Sequence, residues 1–182
     1  MSSHYALYAD LSARLMAVLA AFAPRQMIYS IDECFLDLSG GAGLDPTATG
    51  QAIRRRVWRW LGLPVAVGIG PTQTLAKLAN HLAKQEPAWD GVCDWGALAA
   101  TDQDARLAGL EVAETWGIGP RWGARLRADG LATVRDLRAA DPATLGRRYG
   151  VVVARIVREL RGIPCLALEE LAPPRQEIQA SR

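Results

Sequence analysis

The chain has 182 residues, of which 50% are hydrophobic and 22% are charged, and its 21 basic and 19 acidic side chains give a formal charge of +2. This composition excludes a mainly disordered chain, and the longest apolar-rich stretch, residues 15–24, is about half of the ~20 residues that a membrane-spanning helix needs. The N-terminus also lacks the pattern of a signal peptide, so we expect a cytoplasmic protein of one or two compact domains.

The first 95 residues predict an α+β unit. The first 24 residues carry apolar side chains at three- and four-residue spacing up to Pro24, which predicts an amphipathic helix. Two β-rich runs, residues 27–31 and 34–38, surround adjacent acidic residues and predict a hairpin. The pattern then predicts a helix from an Asp45 cap to Leu61, a buried strand over 63–69, a helix over 72–84 and a short strand over 92–95.

After residue 95 the sequence predicts short helices separated by glycines. This change places a domain boundary near residue 96, with a small all-α domain over 96–166 and a linker over 167–182. Residues 118–162 contain ten arginines and four acidic residues, a local charge of +6, whereas residues 1–117 carry −3. A basic second half predicts contact with a polyanion, although a GC-rich genome would also enrich arginine.

Asp32 and Glu33 are adjacent carboxylates between two apolar runs. Mg²⁺ would compensate their charge, because it prefers oxygen ligands and binds substrate phosphates through one or two carboxylates. Two such ions about 3.5–4 Å apart form the clamp used for in-line phosphoryl transfer. Asp37 joins the pair only if the hairpin register places it on the same side. The alternative is a solvated acidic β-turn.

A glycine-rich turn at residues 68–72 precedes the helix that carries Lys77 and Lys84, the only lysines of the chain. Both lysines lie on one helical face, where ammonium and backbone N–H groups can bind a phosphate chain. The glycine spacing is not that of a Walker motif, and a merely solvated face is the alternative.

Residues 114–120 (ETWGIGP) have the spacing of a helix-hairpin-helix. Gly117 and Gly119 let the backbone around Ile118 approach a phosphate, and the start of the next helix adds its positive end. Arg121, Arg125 and Arg127 supply the charge for binding DNA phosphates. A plain corner between two helices is the alternative.

The chain has six tryptophans but only two phenylalanines. We therefore expect most tryptophans to pack in the core, and the alternative for an exposed one is stacking on bases. Trp58 and Trp60 lie among four arginines on the second predicted helix, and we interpret that arginine run as a solvated face rather than a second phosphate-binding patch.

Cys34, Cys93 and Cys165 are widely separated, and neither His4 nor His81 has a metal-ligand spacing to them. Free thiols are expected, without a disulfide framework or a zinc site.

Residues 29–38 (YSIDECFLDL) and 67–80 (VGIGPTQTLAKLAN) resemble the palm of the Y-family translesion DNA polymerases. Residues 5–10 (YALYAD) and 158–166 (RELRGIPCL) are similar to the UmuC-type catalytic subunits of DNA polymerase V. The resemblance implies that Asp32 and Glu33 match the second and third catalytic carboxylates, which hold Mg²⁺, with two ions in the complete enzyme. It also implies that Lys84 contacts the incoming triphosphate, and Lys77 is a second candidate for nucleotide binding.

The resemblance also implies elements that this sequence does not contain. In the family the first catalytic aspartate lies in an N-terminal strand followed by the fingers, and Asp10 is no substitute because it lies within the first predicted helix. We therefore expect a partial palm over 1–95, a helix-hairpin-helix thumb over 96–166, and a linker over 167–182 toward a missing little-finger domain.

The sequence thus predicts error-prone translesion synthesis, in which dNTPs are added to a primer terminus opposite damaged DNA in the SOS response. The alternative is a catalytically incomplete fragment that acts only as a DNA-binding palm and thumb module. A helix-hairpin-helix nuclease or repair adaptor is a more distant hypothesis, because no nuclease motif is present. The resemblance implies primer–template DNA, dNTP, an UmuD-type dimer, a recombinase filament and the sliding clamp as partners, and no membrane.

Overall fold

The computed structural model describes residues 5–40 and 43–166. The elements of this part are α1 (Tyr5–Ala20), β1 (Arg25–Ile28), β2 (Cys34–Asp37), α2 (Pro46–Leu61), β3 (Val67–Ile69), α3 (Gln73–Gln85), β4 (Val92–Asp94), α4 (Ala100–Gly109), α5 (Pro120–Ala128), α6 (Val134–Ala139), α7 (Pro142–Tyr149) and α8 (Val151–Leu160). Short 3-10 turns lie at Pro87–Trp89, Trp95–Ala97 and Val112–Glu114. Within these residues, no helix has the length and apolar character to cross a membrane. The predicted linker over 167–182 lies outside the described residues.

The acidic residues lie at the tip of the predicted hairpin. β1 and β2 pair antiparallel, with Ile28 opposite Cys34 at the last paired position. The backbone N–H groups of Tyr29 and Ser30 donate to the Glu33 carbonyl at 3.0 and 3.1 Å and close the turn. The hairpin prediction is confirmed, although β1 ends three residues before the predicted run does.

Helix α2 has the predicted ends. Asp45 Oδ1 accepts the Ala48 N–H at 3.1 Å, and Pro46 occupies the first helical position. Gly62 adopts φ +65° and donates its N–H to the Trp58 carbonyl at 2.9 Å. A residue with this left-handed backbone conformation commonly ends a helix, and glycine is favoured at that position.

The second pair of strands lies between α2 and α3. β3 and β4 are parallel, and β3 is shorter than the predicted strand over 63–69. A Cβ built on Gly50 of α2 would lie 2.7 Å from Val92 Cγ1, whereas one built on Gly68 of β3 would lie 2.6 Å from Asn80 Cα of α3. Because successive strand residues face opposite sides, α2 and α3 cover opposite faces of this sheet.

The buried side chains form two clusters. One joins α1 and α2 through Leu15, Met16, Val18, Ile53 and Val57, with the hairpin residues Cys34 and Leu36 packed against it. The other joins α3 and β4 to the helices after residue 96; its members from α3 are Leu75, Leu78, Ala79, Leu82 and Ala83. The predicted apolar stripe of α3 is therefore buried, and it is buried against the helical half of the chain. The division into domains at residue 96 stays a prediction.

Two tryptophans depart from the expected core packing. Trp95 is 3% exposed, but Trp58 and Trp60 are 62% and 64% exposed. The buried face of α2 consists of Gly50, Ile53 and Val57. Trp58 lies outside that stripe, whereas Trp60 continues its three- and four-residue spacing but lies exposed in the last turn of the helix. The expectation that most tryptophans pack in the core therefore does not extend to Trp58 and Trp60 of this helix.

All three cysteines are free, as expected. Cys93 is fully buried, and this burial raises the pKa of its thiol to about 11.

Candidate active site

The two carboxylates of the acidic turn have different partners. Asp32 is exposed, and its Oδ1 accepts a hydrogen bond from Ser30 Oγ at 2.7 Å. Glu33 is partly buried, and its Oε1 lies 2.8 Å from Lys77 Nζ. The turn is therefore more than a solvated loop, because one of its charges is neutralised by a lysine from α3.

Lys77 is held in place from two sides. Besides its ion pair with Glu33, its ammonium lies 5.2 Å from the centroid of the Tyr29 ring, and its side chain is only 20% exposed. An ammonium over an aromatic face gains electrostatic attraction. Lys77 is thus a cation placed directly beside the acidic turn.

A cavity of about 230 Å³ collects the predicted nucleotide-binding groups. Its lining includes Glu33, Lys77 and Lys84 together with His81, Glu114 and Trp116. Lys84 itself is exposed and also lines a larger groove of about 490 Å³ beside Arg54. The structure therefore brings both lysines and one carboxylate to a single cavity, while Asp32 is absent from its lining.

His81 and Glu114 are site residues that the sequence reasoning missed. His81 Nε2 lies 2.9 Å from Glu114 Oε2, and the two side chains are 34% and 33% exposed. One signal was available, because His81 follows Lys77 by four residues and so shares its helical face. Its partner follows only from the tertiary fold.

Trp116 connects the acidic turn to the glycine hairpin. Its Nε1 donates to the Tyr29 hydroxyl at 3.2 Å, and its ring centroid lies 5.4 Å from that of Tyr29 and 5.6 Å from that of Phe35. Because Trp116 immediately precedes Gly117, the hairpin backbone is anchored to the turn that carries Asp32 and Glu33. We call Tyr29, Phe35 and Trp116 the aromatic seam.

The hairpin itself leads directly into α5. Gly117 adopts φ +86°, Ile118 is buried, and Gly119 is the residue before the helix, with Pro120 at its first position. The preceding element is the 3-10 turn Val112–Glu114 rather than an α-helix, since α4 ends at Gly109. The predicted loop and the second helix are therefore present, whereas the assignment as a helix-hairpin-helix stays a prediction.

Arg121 and Arg125 are both exposed on α5. The Arg125 guanidinium carbon lies 5.1 Å from the centroid of the Trp122 ring. Both arginines are available to a ligand that approaches the hairpin.

Two further carboxylates lie away from the turn. Asp37 is at the opposite end of the hairpin, where it pairs with Arg25 and accepts the Ser39 N–H at 2.8 Å. The hydrogen bonds from Ser39 lower the pKa of the Asp37 carboxyl. Asp10 lies within α1 and pairs with Arg14 at 2.8 Å. Neither residue adds a third carboxylate to Asp32 and Glu33.

The donor set fits one hydrated Mg²⁺ at most. In the described part of the chain, no group of three or more His, Cys, Asp or Glu side chains is placed to hold a metal ion. Mg²⁺ retains several waters and binds proteins through as few as one or two carboxylates. Asp32 and Glu33 meet that minimum, provided that Glu33 separates from Lys77, but they do not form a two-ion clamp.

Several known proteins are similar in sequence to this chain. Protein UmuC of Salmonella typhimurium is 47% identical over 100% of this chain, and Protein MucB of Escherichia coli is 45% identical over 100% of it. DNA polymerase IV of Moorella thermoacetica is 32% identical over 86% of the chain. Residues 1–81 match the impB/mucB/samB family. This part of the chain belongs to the impB/mucB/samB family.

The impB/mucB/samB segment and the helices that follow it share their fold with solved Y-family polymerases. The insertion ternary complex of Dbh DNA polymerase aligns with a TM-score of 0.66 and 25% identity, covering 85% of this chain and 44% of that one. A Y-family chimera of Dbh and Dpo4 aligns with a TM-score of 0.64 and 26% identity over the same 85%. The Y-family resemblance and the palm-like α/β fold with mostly helical content are confirmed.

The relatives are longer than this chain. The chain spans 43% of the length of UmuC and of MucB, and 38% of that of DNA polymerase IV. Their activity as whole proteins therefore enters only as a proposal for this chain.

Proposed function

We propose that this chain provides the palm and thumb of a UmuC-type polymerase that carries out translesion DNA synthesis in the SOS response. The observation that carries the proposal is the single cavity at which Glu33, Lys77 and Lys84 meet Trp116 of the hairpin. Relatives named UmuC and DNA polymerase IV support the same reaction class. An UmuD-type dimer, a recombinase filament and the sliding clamp stay predictions from the resemblance.

In this proposal the acidic turn and the two lysines handle the incoming dNTP. Asp32 and Glu33 would hold a hydrated Mg²⁺, which would supply positive charge to the triphosphate and the primer 3′-hydroxyl. Holding it through Glu33 would replace the ion pair of Glu33 with Lys77. The released Lys77 ammonium and the exposed Lys84 then donate hydrogen bonds to phosphate oxygens, which are strong because both partners are charged.

The hairpin holds the primer–template duplex. The backbone of Gly117 and Gly119 and the first turn of α5 after Pro120 present N–H groups to a phosphate, whereas the Ile118 N–H already donates to the Thr115 carbonyl at 2.9 Å. Arg121 and Arg125 neutralise neighbouring phosphates, so the affinity is salt-dependent and independent of base sequence. The aromatic seam keeps this contact at a constant distance from the acidic turn.

Primer extension tests the enzyme proposal. The chain is compared with a version extended to the full length of its relatives. Both proteins are also prepared as the Asp32→Ala variant and as the Asp10→Ala variant, which is the matched control. We expect Asp32→Ala to abolish extension by the longer version, Asp10→Ala to leave it unchanged, and both to leave DNA affinity nearly intact. Loss of DNA binding in Asp32→Ala would show that this acid supports the fold instead.

A DNA-binding module without catalysis is the second candidate. It is favoured by one observation, namely that only two carboxylates lie at the turn in the described residues. In this case the chain binds primer–template DNA but extends nothing at any Mg²⁺ concentration. Failure of the longer version as well would overturn the enzyme proposal, and extension by the chain alone would overturn this second candidate.

The hairpin assignment has its own binding test. Arg121→Ala and Arg125→Ala should weaken duplex binding and lower the slope of log affinity against log salt by about 0.9 for each phosphate that is no longer neutralised. Arg127→Ala is the matched control, because Arg127 is already paired with Glu111 at 2.9 Å. A wild-type slope near zero, or unchanged binding in the Arg121 and Arg125 variants, would contradict the assignment.

A further inference from the structure

The solvent-facing side of α2 combines cations with uncovered indoles. Arg55, Arg56 and Arg59 are exposed, and Trp58 and Trp60 are 62% and 64% exposed. We call these five residues the α2 outer face. Two tryptophans uncovered to this extent on one helix are unusual, because indoles are normally largely buried.

The three arginines of the α2 outer face have no internal counterion. Within residues 5–40 and 43–166, none of them forms an ion pair, and α2 itself contains no acidic residue. The neighbouring Arg54 is different, since its Nε donates to the Val65 carbonyl at 3.0 Å and its Nη1 lies 3.1 Å from Asp90 Oδ1. The outer arginines therefore remain available to an external anion.

Helical spacing arranges these side chains into two neighbouring units. Arg55 lies three residues before Trp58 and four residues before Arg59, so its side chain shares a helical face with both of them. Arg56 lies four residues before Trp60, with its guanidinium carbon 5.5 Å from the Trp60 ring centroid and 4.6 Å from that of Phe22. Each unit thus presents positive charge beside an aromatic ring.

The α2 outer face lies away from the candidate active site. Gly50, on the buried side of α2, packs against Val67 and Val92 of the parallel strands, whereas Gly68 of the same sheet packs against α3. Lys77 of α3 contacts the acidic turn. The α2 outer face is therefore on the side of α2 that points away from this sheet, and none of its residues lines the cavity at Glu33.

We propose that the α2 outer face binds single-stranded nucleic acid, so that its arginines form a second phosphate-binding patch and not the solvated face expected from the sequence. Phosphates contact Arg55, Arg56 and Arg59, while an unpaired base stacks on Trp58 or Trp60, which is how sequence-tolerant strands are held. A protein partner fits less well, because the two indoles are two residues apart, about 200° around the helix, and arginines occupy the space between them. Protein interfaces also favour Trp and Arg, but they gather apolar groups in one buried centre, which two separated indoles do not form.

Binding of a fluorescein-labelled oligo-dT of about 16 nucleotides tests this site in the whole chain. The Arg121→Ala/Arg125→Ala background removes the proposed hairpin contacts, so that anisotropy reports the α2 outer face. We expect oligo-dT to bind in this background. Trp58→Ala/Trp60→Ala should weaken this binding at least about 5-fold, because the bases can no longer stack. Arg55→Gln/Arg59→Gln should lower the slope of log affinity against log salt by about 1.4. Arg14→Gln is the control for an exposed arginine that already has a partner, Asp10.

Three results would overturn the proposal. The first is no oligo-dT binding, or binding that the α2 substitutions leave unchanged. The second is equal affinity for a duplex of the same length with no effect of Trp58→Ala/Trp60→Ala, which would indicate charge contact without stacking. The third is that poly-glutamate binds this face and oligo-dT does not, which would assign it to an acidic protein. Because all of the substituted side chains are exposed, circular dichroism should show an unchanged fold. The outcome does not depend on primer extension.

Discussion

Glu159 is a charged residue inside the protein, where it joins two helices. Its side chain is 1% exposed, and it forms no ion pair with the described residues. Its Oε2 accepts the Thr74 N–H at 3.0 Å, and its Oε1 accepts the N–H groups of Cys165 and Leu166 at 2.8 and 3.3 Å. The Glu159 carbonyl also accepts the Thr72 hydroxyl at 2.9 Å. Backbone donors, including one from the positive end of α3, therefore take the place of a cation.

Glu159→Gln should lower the free energy of unfolding by about 2 kcal/mol, because its amide group places a donor against backbone donors and leaves a buried N–H without an acceptor. Urea unfolding followed by circular dichroism measures the loss. Glu111→Gln is the matched control, since Glu111 is 67% exposed and pairs with Arg127 at the surface. It should cost no more than about 1 kcal/mol, and equal losses in the two variants would contradict a structural role for the buried carboxylate.

For helices and strands, the sequence predicts those features that are determined by residues close together in the chain. The ends of α2 follow from Asp45, Pro46 and Gly62, which act within one helical turn. The strand prediction over 63–69 was too long, because apolar residues alone do not show which of them pair, and only Val67–Ile69 pair with β4. The sequence predicts that the apolar stripe of α3 is buried. It does not predict that the helices after residue 96 are what covers this stripe.

The same limit applies to the candidate site. Asp32, Glu33 and the lysines stand out as residue types in a pattern, and a four-residue period places Lys77 and His81 on one face. The pairs Lys77–Glu33, His81–Glu114 and Trp116–Tyr29 each join distant parts of the chain. No local signal encodes such pairs, so they require the fold.

The close packing of β3 on α3 makes Gly68 a sensitive position. A Cβ there would lie 2.6 Å from Asn80 Cα, against helix backbone that cannot move aside. Gly68→Ala should therefore separate the strand from α3 and destabilise the chain by more than about 2 kcal/mol, as overpacking does. Gly109→Ala at the end of α4 is the control, because nothing lies within 4 Å of its Cβ position. Thermal unfolding of both variants measures the difference, and similar melting temperatures would contradict the packing.

The aromatic seam should couple the β1–β2 hairpin to the loop before α5. Trp116→Phe and Tyr29→Phe each remove one partner of the 3.2 Å hydrogen bond but keep aromatic packing. In a double-mutant cycle on the free energy of unfolding, we expect a coupling of about 0.5–1.5 kcal/mol. The control cycle combines Trp122→Phe with Tyr29→Phe, since Trp122 packs on Tyr149 instead. A coupling near zero for Trp116 and Tyr29 would show that the seam does not join the two elements.

For the whole molecule, the formal charge of +2 does not show that residues 118–162 are basic, nor that several of their arginines are already paired within the chain. Three arginines after residue 118 already pair with acidic residues, since Arg127, Arg135 and Arg148 contact Glu111, Asp104 and Asp129. The surplus of positive charge available to a ligand is therefore smaller than the +6 of residues 118–162 and lies in residues such as Arg121. The exposed arginines of α2 add a second surplus on the nominally acidic half.

Packing across residue 96 leads to a prediction about cooperativity. Leu107 of α4 is fully buried in the cluster that also contains Leu75, Leu78 and Leu82 of α3. Leu107→Ala should cost about 2–5 kcal/mol, and hydrogen exchange should show faster exchange in α3 as well as in α4–α8. Val57→Ala, in the cluster of α1 and α2, should instead act mainly on those two helices. If α3 stayed protected in Leu107→Ala while α4–α8 opened, residues 1–95 and 96–166 would be independent folding units, and the shared core would contribute little to holding them together.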